Sequence, residues 1–538
     1  MRHLPAVLAA AALLTFVTGC GSLAPPGEQT AAAPRLADTR PVRDGGTAVI
    51  ALKSDPDMLD PSLTSTLVAR TVFTSMCEQL YDVDQHNRFV PQLAASLPKI
   101  TNGGRTFTFD VRRDARFSDG ARLDAKAVKT SLDRHLHLAG SGRASEIDSV
   151  EKVDAVGPYT VRLTLKHADT PLLGRLANTA GLIMSPKALA TYGKKFAAHP
   201  SCVGPFKYDK RVIGDRIELK KDPLYYDADK VHLDGVVYKT ITDGNIRLAN
   251  LRSGDVQIGD QMGPVEVRSG MGDKDLQLLN TPSLGYMAIT LNVGNSDGID
   301  HKPGRVDTPF GRDVRVREAF DLSLDRELIN KVVFQDMYEP ACSPVPPGTP
   351  LSTPVTCPKR DVAKAERLLK EAGVKTPVPL ELMINTTPED NRLGQVVQSM
   401  AKEAGFAVKL RPTEFATGLT RTLAGDFQAR TGGWGGQPDP AGNIDSLVGT
   451  TGSNNQGKLS DPDIDRLIAA GRSTADVAKR REIYRELTAA INRQHGVIYL
   501  YRNINYAVAS QDVSGIKLSG DGLIRVKEAG YVKAGGQG

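Results

Sequence analysis

The chain has 538 residues, more than a single hydrophobic core accommodates, so two or more lobes are expected. Hydrophobic residues make up 40% and charged residues 24%, which is ordinary for a soluble globular protein. The net charge of +6 is small for this length, and lysine and arginine are mixed with aspartate and glutamate throughout, which excludes a nucleic-acid-binding stripe.

In chain order, Arg2 and His3 precede an apolar run from Leu4 to Val17. The run is too short to span a bilayer with its flanks, and no stop-transfer pattern follows, so residues 1–20 read as a signal peptide. Its closing residues, Val17-Thr18-Gly19-Cys20, resemble the bacterial lipobox. That resemblance implies that the Cys20 thiol accepts a diacylglyceryl group and that cleavage makes Cys20 the new N-terminus. Two acyl chains suffice for stable anchoring, so a lipid-anchored protein on the extracytoplasmic face of the cell membrane is expected. Residues 21–45 are dominated by Ala, Pro, Gly, Thr and Arg without apolar periodicity, the composition of a flexible tether.

From Gly46 onward, strand-like and helix-like stretches alternate. Thr47 to Leu52 is expected to be the first strand and Ser65 to Leu80 a helix. Phe107, Phe109 and Val111 alternate with polar residues, as do Val161, Leu163 and Leu165, the pattern of half-buried strands. Between them the spacing predicts a helix with Asp124 as N-cap and Val128, Leu132 and Leu136 on its apolar face. Later, Asp361 can cap a helix whose apolar face is Val362, Ala365, Leu368, Leu369 and Ala372, stopped by Gly373. A strand with Leu380, Leu382 and Ile384 on one face follows, then a helix from about Asp390 to Ala404 closed by Gly405, then a strand around Val408 and Leu410. Strand, helix, strand with a short return is a βαβ unit, which implies parallel pairing. A long helix starting near Thr474 carries Val477, Tyr484, Leu487 and Ile491 on one face. The order of elements fits two α/β lobes.

Once Cys20 is lipidated, Cys77, Cys202, Cys342 and Cys357 remain, an even number that suggests disulfides in an exported protein, with three possible pairings. The Pro-rich loop Ser343 to Thr356 favours a Cys342–Cys357 bridge, with Cys77–Cys202 by elimination; free buried thiols are the alternative. No C-x-x-C or Cys/His cluster supports a metal site. Two apparent catalytic motifs are set aside. Gly294-Asn-Ser296-Asp-Gly298 fits G-x-S-x-G, but no helical pattern follows it, as a nucleophile elbow requires. Ser96-Leu-Pro-Lys99 fits S-x-x-K but contains a proline and lacks companion motifs. His135 and His137 lie two apart on a helix and face different directions. An enzyme is therefore not expected; an extracellular hydrolase is the alternative of another class.

Several blocks resemble the extracellular solute-binding proteins of family 5, the peptide, dipeptide and nickel-binding type that serves ABC importers. Gly45-Gly-Thr-Ala-Val-Ile-Ala-Leu through Asp57-Met-Leu-Asp60-Pro61 is similar to the family's opening strand and its "LDP" turn. Cys77-Glu78-Gln79-Leu80 stands where the family has "YEGL". Pro91 to Ser96, Phe107 to Arg112 and Phe117-Ser-Asp-Gly120 resemble its "LAESW", "FxLR" and "FHDG". Val203-Gly204-Pro205-Phe206 resembles "GTGPY", Arg315 to Arg326 resembles "VRQAL…IDR", and Arg480 to Tyr484 its late "R…LY" helix.

The resemblance implies a two-lobe fold of the type II periplasmic-binding-protein kind with an extra subdomain and the ligand in the cleft. Mapped here, lobe I takes residues 46–283 plus 501–538, with the insertion at about 87–200, and lobe II takes 284–500. Gly432-Gly-Trp434-Gly435-Gly436-Gln437-Pro-Asp439-Pro440 resembles the family's cleft-lining "WSADYPDP", whose first aspartate pairs with the ligand amine in peptide-binding members. Gln437 stands at that position and supplies no charge, while Asp439 keeps the acid beside the proline. Further cleft positions implied by the fold are Ser54 and Leu59 after the first strand, Cys77 and Glu78 at a helix end, Gly204 after the insertion, and Asn292 after the strand Ala288 to Leu291. The implied function is a binding lipoprotein that captures a solute between its lobes and delivers it to a membrane permease. Peptides lead as the solute class, with an oligosaccharide or other neutral solute second because of Gln437. The implied partners are that solute, ABC permease subunits with their cytoplasmic ATPase, and the membrane through Cys20; a monomer without cofactor, metal or nucleic acid is expected.

Overall fold

The computed structural model describes residues 39–84 and 86–533. The expected signal peptide, Cys20 and residues 21–38 of the expected tether lie outside the described residues. The tether's far end is structured: strand Val42–Arg43 pairs antiparallel with Gly530–Val532, and Gly45 N–H donates to the His232 carbonyl at 2.8 Å.

The chain folds into two lobes, each around its own sheet. In the first, strands run in the order Leu276–Pro282, Ile504–Ser510, Ile258–Gly259, Thr47–Leu52, Gly235–Thr240, Arg216–Lys221 and Phe206–Val212. Thr47–Leu52 lies at its centre, parallel to both Gly235–Thr240 and Ile258–Gly259, with Ala48, Ile50, Ala51 and Leu52 buried. The next helix is Leu67–Met76, shorter at both ends than its apolar pattern predicts. Thr66 stops it at the front, its hydroxyl accepting from Ala69 N–H, and Cys77 turns extended at the back, where its bond to Cys202 and the Glu78 N–H to Val203 carbonyl contact (2.7 Å) hold it. The insertion carries its own antiparallel sheet, in the order Lys99–Thr101, Thr106–Asp110, Thr160–Leu165 and Val150–Ala155. Helix Ala125–His137 packs on it, capped by Asp124 as its sequence predicts, with Val128 and Leu132 buried.

The second sheet has the order Glu339–Pro340, Val497–Arg502, Tyr286–Leu291, Ala429–Trp434, Val378–Ile384 and Phe406–Pro412. Its last two strands are the parallel pair of the expected βαβ unit, with Leu380 beside Val408 and Leu382 beside Leu410. Their crossover helix, Pro388–Glu403, starts ahead of Asp390 because Thr387 caps it and Pro388 fits its first position. The strand period of two divides this sheet's apolar residues between two cores. Ile289, Leu291, Ile498 and Leu500 share one with Val316 and Val397; Ala288 and Tyr499 share the other with Ile444, Ile464 and Tyr484. Tyr484 belongs to helix Val477–Gln494, where Asp476 is the cap and Val477, expected on the buried face, is 50% exposed; Arg480 turns inward instead.

The chain crosses between the sheets at Ser283–Gly285 and again at Asn503. The crossings lie side by side: Ser283 N–H donates to the Asn503 carbonyl at 2.9 Å. The buried Arg502 guanidinium fastens them by donating to the carbonyls of Gly285, Ser343 (2.5 Å) and Val345 (2.9 Å). Both disulfides, Cys77–Cys202 and Cys342–Cys357, are formed. Among the described residues, no helix is long and apolar enough to cross a membrane.

Candidate ligand-binding cleft

Strand Ala429–Trp434 pairs with Tyr286–Leu291, placing Trp434 opposite Tyr286 at the edge of the second core. The chain then has to pass hard against the first crossing. At Gly436, where φ is +80°, a Cβ would lie 2.0 Å from the Leu284 carbonyl carbon, so no other residue fits. Gln437 N–H donates to the Asn443 side-chain oxygen at 2.8 Å, and the Asn443 amide in turn donates to the Leu284 carbonyl at 3.2 Å. Beyond it the buried Asp439 carboxylate is clamped by both terminal nitrogens of Arg480, at 2.9 and 3.0 Å. The Gly-Gly-Gln-Pro-Asp-Pro loop is thereby a fixed platform that leads into helix Ala441–Val448.

This platform forms one wall of a cavity of about 990 Å³. Trp434, Gln437, Gly442, Asp445, Ser446 and Arg472 face it from lobe II; Glu146, His167, Asp169 and Arg175 face it from the insertion of lobe I. The two walls meet at Thr170, and Gly174 packs close to the Asp439 side chain. Thr170 N–H donates to the Arg472 carbonyl at 2.9 Å, and its hydroxyl lies 3.3 Å from the carbonyls of Gly471 and Thr474.

The cavity is rich in charge, most of it paired. Asp169 accepts from Arg175 and from the Ser149 hydroxyl (2.5 Å), and Glu146 pairs with Arg143 at 3.0 Å. Asp445 is only half satisfied: Oδ2 accepts from Arg472 Nε at 2.6 Å, while Oδ1 is buried without a partner. Burial pushes its carboxyl up to about 6, with Arg472 pulling the other way. The Trp434 indole Nε1 is likewise buried without a partner. Leaving such a group unpaired costs about 1–3 kcal/mol.

The structure therefore brings Trp434 and Gln437 to the cavity, with Gly435 and Gly436 shaping the turn between them. The other expected positions do not line this cavity. Asp439 is occupied by Arg480. The Asn292 amide donates to the carbonyls of Asn295, Gly425 and Phe427 at 3.0–3.2 Å, tying the loop that contains Ser296. Gly204 packs so closely on the helix end that a Cβ would lie 2.4 Å from the Met76 carbonyl carbon. Ser54 is half-buried after its strand and Leu59 is core; neither lines this cavity. Cys77, in its disulfide, and Glu78 line a separate cavity of about 80 Å³. There the Glu78 carboxylate accepts from the hydroxyls of Tyr225 (2.5 Å) and Tyr226 (2.6 Å). Asp445 and Arg472 escape the sequence reading; the signal for Asp445 is its spacing of three from Gly442 on one helix face.

Comparison with known proteins agrees with this geometry. Residues 88–455 match the family described as bacterial extracellular solute-binding proteins, family 5 middle. The glutathione-binding protein GsiB of Salmonella paratyphi A is 27% identical over 492 residues, 88% of this chain and 92% of that protein. The glutathione-binding protein of Pectobacterium atrosepticum is 27% identical over 91% of this chain and 95% of its own length. In fold, the ABC transporter substrate-binding protein CtaP of Listeria monocytogenes superposes with a TM-score of 0.80 at 21% identity, covering 91% of this chain and all of that one. With two α/β lobes, a double crossing and a charged cavity between them, the chain belongs to the bacterial extracellular solute-binding proteins of family 5.

Proposed function

We propose that this protein is the capture subunit of an ABC importer, taking a short peptide between its lobes and handing it to the permease and its cytoplasmic ATPase. The observation that carries this reading is the cavity of about 990 Å³ whose walls belong to different lobes, since such a site is completed only when the lobes approach. Peptide as the solute class is supported by the relatives named for glutathione, a tripeptide, which align over nearly their whole length. Trp434, Gly435, Gly436 and Gln437 serve as the floor under the solute. On this reading lobe I comprises residues 46–283 and 501–538 with the insertion at about 87–200, and lobe II comprises 284–500. Cys20 carries the lipid anchor, the chain works as a monomer, and no turnover of the solute accompanies capture.

Native mass spectrometry of the full protein purified from its own host before dialysis tests the reading. Co-purifying masses of short peptides are expected, and the intact mass should correspond to a mature chain beginning at a diacylglyceryl-modified Cys20. A co-purifying sugar or other neutral solute would overturn the peptide assignment while leaving capture in place. An unmodified N-terminal cysteine would overturn the anchor.

A further inference from the structure

The loop between Cys342 and Cys357 has two limbs held in different ways. Residues 341–346 are buried, and their carbonyls carry much of the fastening at the crossings. Those of Ser343 and Val345 accept from Arg502, and that of Cys342 accepts from the Asn492 side chain at 3.0 Å. The Pro344 carbonyl accepts at 3.4 Å from the Asn443 amide, which also donates to Leu284 at the first crossing. The Asn443 oxygen in turn holds the Gln437 N–H of the platform. The inner limb thus joins the hinge to the wall of the cavity. The outer limb lies in solvent. Residues 354–356, 358 and 359 are exposed, and among the described residues no backbone N–H from 353 to 360 donates to a protein acceptor. Between the turn at Ser352 and Arg360, whose Nε donates to the Ser323 carbonyl at 2.9 Å, the Cys342–Cys357 bond is the tie that keeps this limb in place.

The two disulfides differ in access. Cys77 and Cys202 are each 2% exposed and belong to the core of lobe I. Cys357 is half-buried between exposed neighbours, and Lys359 is two residues away. An attacking thiolate is negatively charged, so an open approach beside a lysine favours Cys357 as the point of entry. We propose that Cys342–Cys357 is a redox-sensitive strap whose opening by a small thiol loosens the crossings and the platform together. The thiolate bonds to Cys357 Sγ as the disulfide breaks, and the electron pair leaves on Cys342 Sγ, which takes up a proton. A second thiolate bonds to the added sulfur and releases Cys357 as a thiol. Two small thiols are then oxidised to one disulfide, and Cys342–Cys357 is reduced to two thiols. Without the closed ring, local opening of the loop is less restrained, and its inner limb holds Arg502 and Asn443 less rigidly. The effect on the solute rests on the proposed capture between the lobes: retention weakens while the strap is open.

The test treats the full protein with mercaptoethanol, traps free thiols with iodoacetamide and maps them by mass spectrometry. Cys342 and Cys357 should be labelled while Cys77 and Cys202 stay bonded; labelling of all four at one rate would overturn the proposal. Hydrogen exchange then follows the Ser283 and Gln437 N–H groups, which report the crossing and the platform without any ligand. Exchange about tenfold faster is expected after treatment, returning to the original rate on reoxidation in air. Unchanged exchange would overturn the proposal, and so would a rise that reoxidation does not reverse. A protein carrying both Cys342→Ser and Cys357→Ser should exchange at the faster rate with or without mercaptoethanol. Retention of a mixed library of short peptides should fall about tenfold on treatment. Unchanged retention alongside faster exchange would overturn the strap as a control on capture. Absence of retention by the untreated protein would overturn the peptide reading, and exchange would still decide whether the strap exists.

Discussion

Glu78 shows how burial sets a proton's place. Removal from water pushes its carboxyl up from 4.5 to about 7, a rise only partly offset by the hydroxyls of Tyr225 and Tyr226 that donate to it. Because the folded-state value lies above the unfolded one, the folded protein binds the proton more tightly. The resulting stability is fully present below about pH 4.5 and is lost as the pH rises through about 7. His135 works in the opposite sense. Buried between the Ser62 hydroxyl (2.9 Å) and the Leu182 carbonyl (3.1 Å), it is pushed down by burial to about 4, so its contribution is present above 6.5 and lost as the pH falls. The two slopes oppose each other in mildly acidic solution and flatten the wild-type profile there. Glu78→Gln should separate them. Relative to the variant, the wild type should lose on the order of 3 kcal/mol between about pH 4 and about pH 8, measured from urea unfolding at each pH. Parallel profiles for the two proteins would show that the Glu78 carboxyl keeps its unfolded-state value in the fold.

At the scale of elements, the disulfides separate local from long-range fastening. Cys342–Cys357 closes a loop with a sequence separation of 15, whereas Cys77–Cys202 spans 125 and joins the end of helix Leu67–Met76 to the chain leaving the insertion. Loop-closure entropy gives about 3 kcal/mol for the first and about 5 kcal/mol for the second. Replacing Cys77 and Cys202 by serine should therefore lower the denaturant midpoint more than replacing Cys342 and Cys357, and the reverse order would mean that native packing outweighs chain entropy. The same contrast explains what the sequence makes legible. Asp124 and its helix, or Leu380, Leu382, Gly405 and Val408 in the βαβ unit, are readable because caps and periodicity act within a few residues. The early end of the helix at Met76 is not, since a cysteine 125 residues away pulls Cys77 into extended backbone. Nor is the inward turn of Arg480, which answers to Asp439 on another element, or the strand at Val42, whose partner is Val532. In the site, Trp434 is found from its glycine-rich motif, whereas the half-satisfied state of Asp445 depends on Arg472 of a different helix.

For the whole molecule the question is what holds the walls of the cavity together. Two chain crossings at Ser283–Gly285 and Asn503 permit the lobes to rotate about a short axis, and their mutual hydrogen bond with the Arg502 clamp keeps that axis in place. Away from the axis, Thr170 of lobe I reaches the last turn of helix Pro462–Ser473, with one backbone and two hydroxyl contacts across the gap. Contacts made only when the lobes meet favour the closed population by their own free energy, and a ligand held by both walls adds to the same balance. Thr170→Ala removes the two hydroxyl contacts and leaves the backbone one. At about 1 kcal/mol for the net gain of such a bond, it should shift the balance toward open forms by about fivefold. Small-angle scattering should then give a larger radius of gyration for the variant than for the wild type without ligand, and the same compact value for both with saturating peptide. Trp434, the one tryptophan in the sequence and part of the cavity wall, reports occupancy in parallel through its fluorescence. Weaker peptide binding by the variant with unchanged scattering in the unliganded state would assign Thr170 to ligand contact rather than to the joining of lobes.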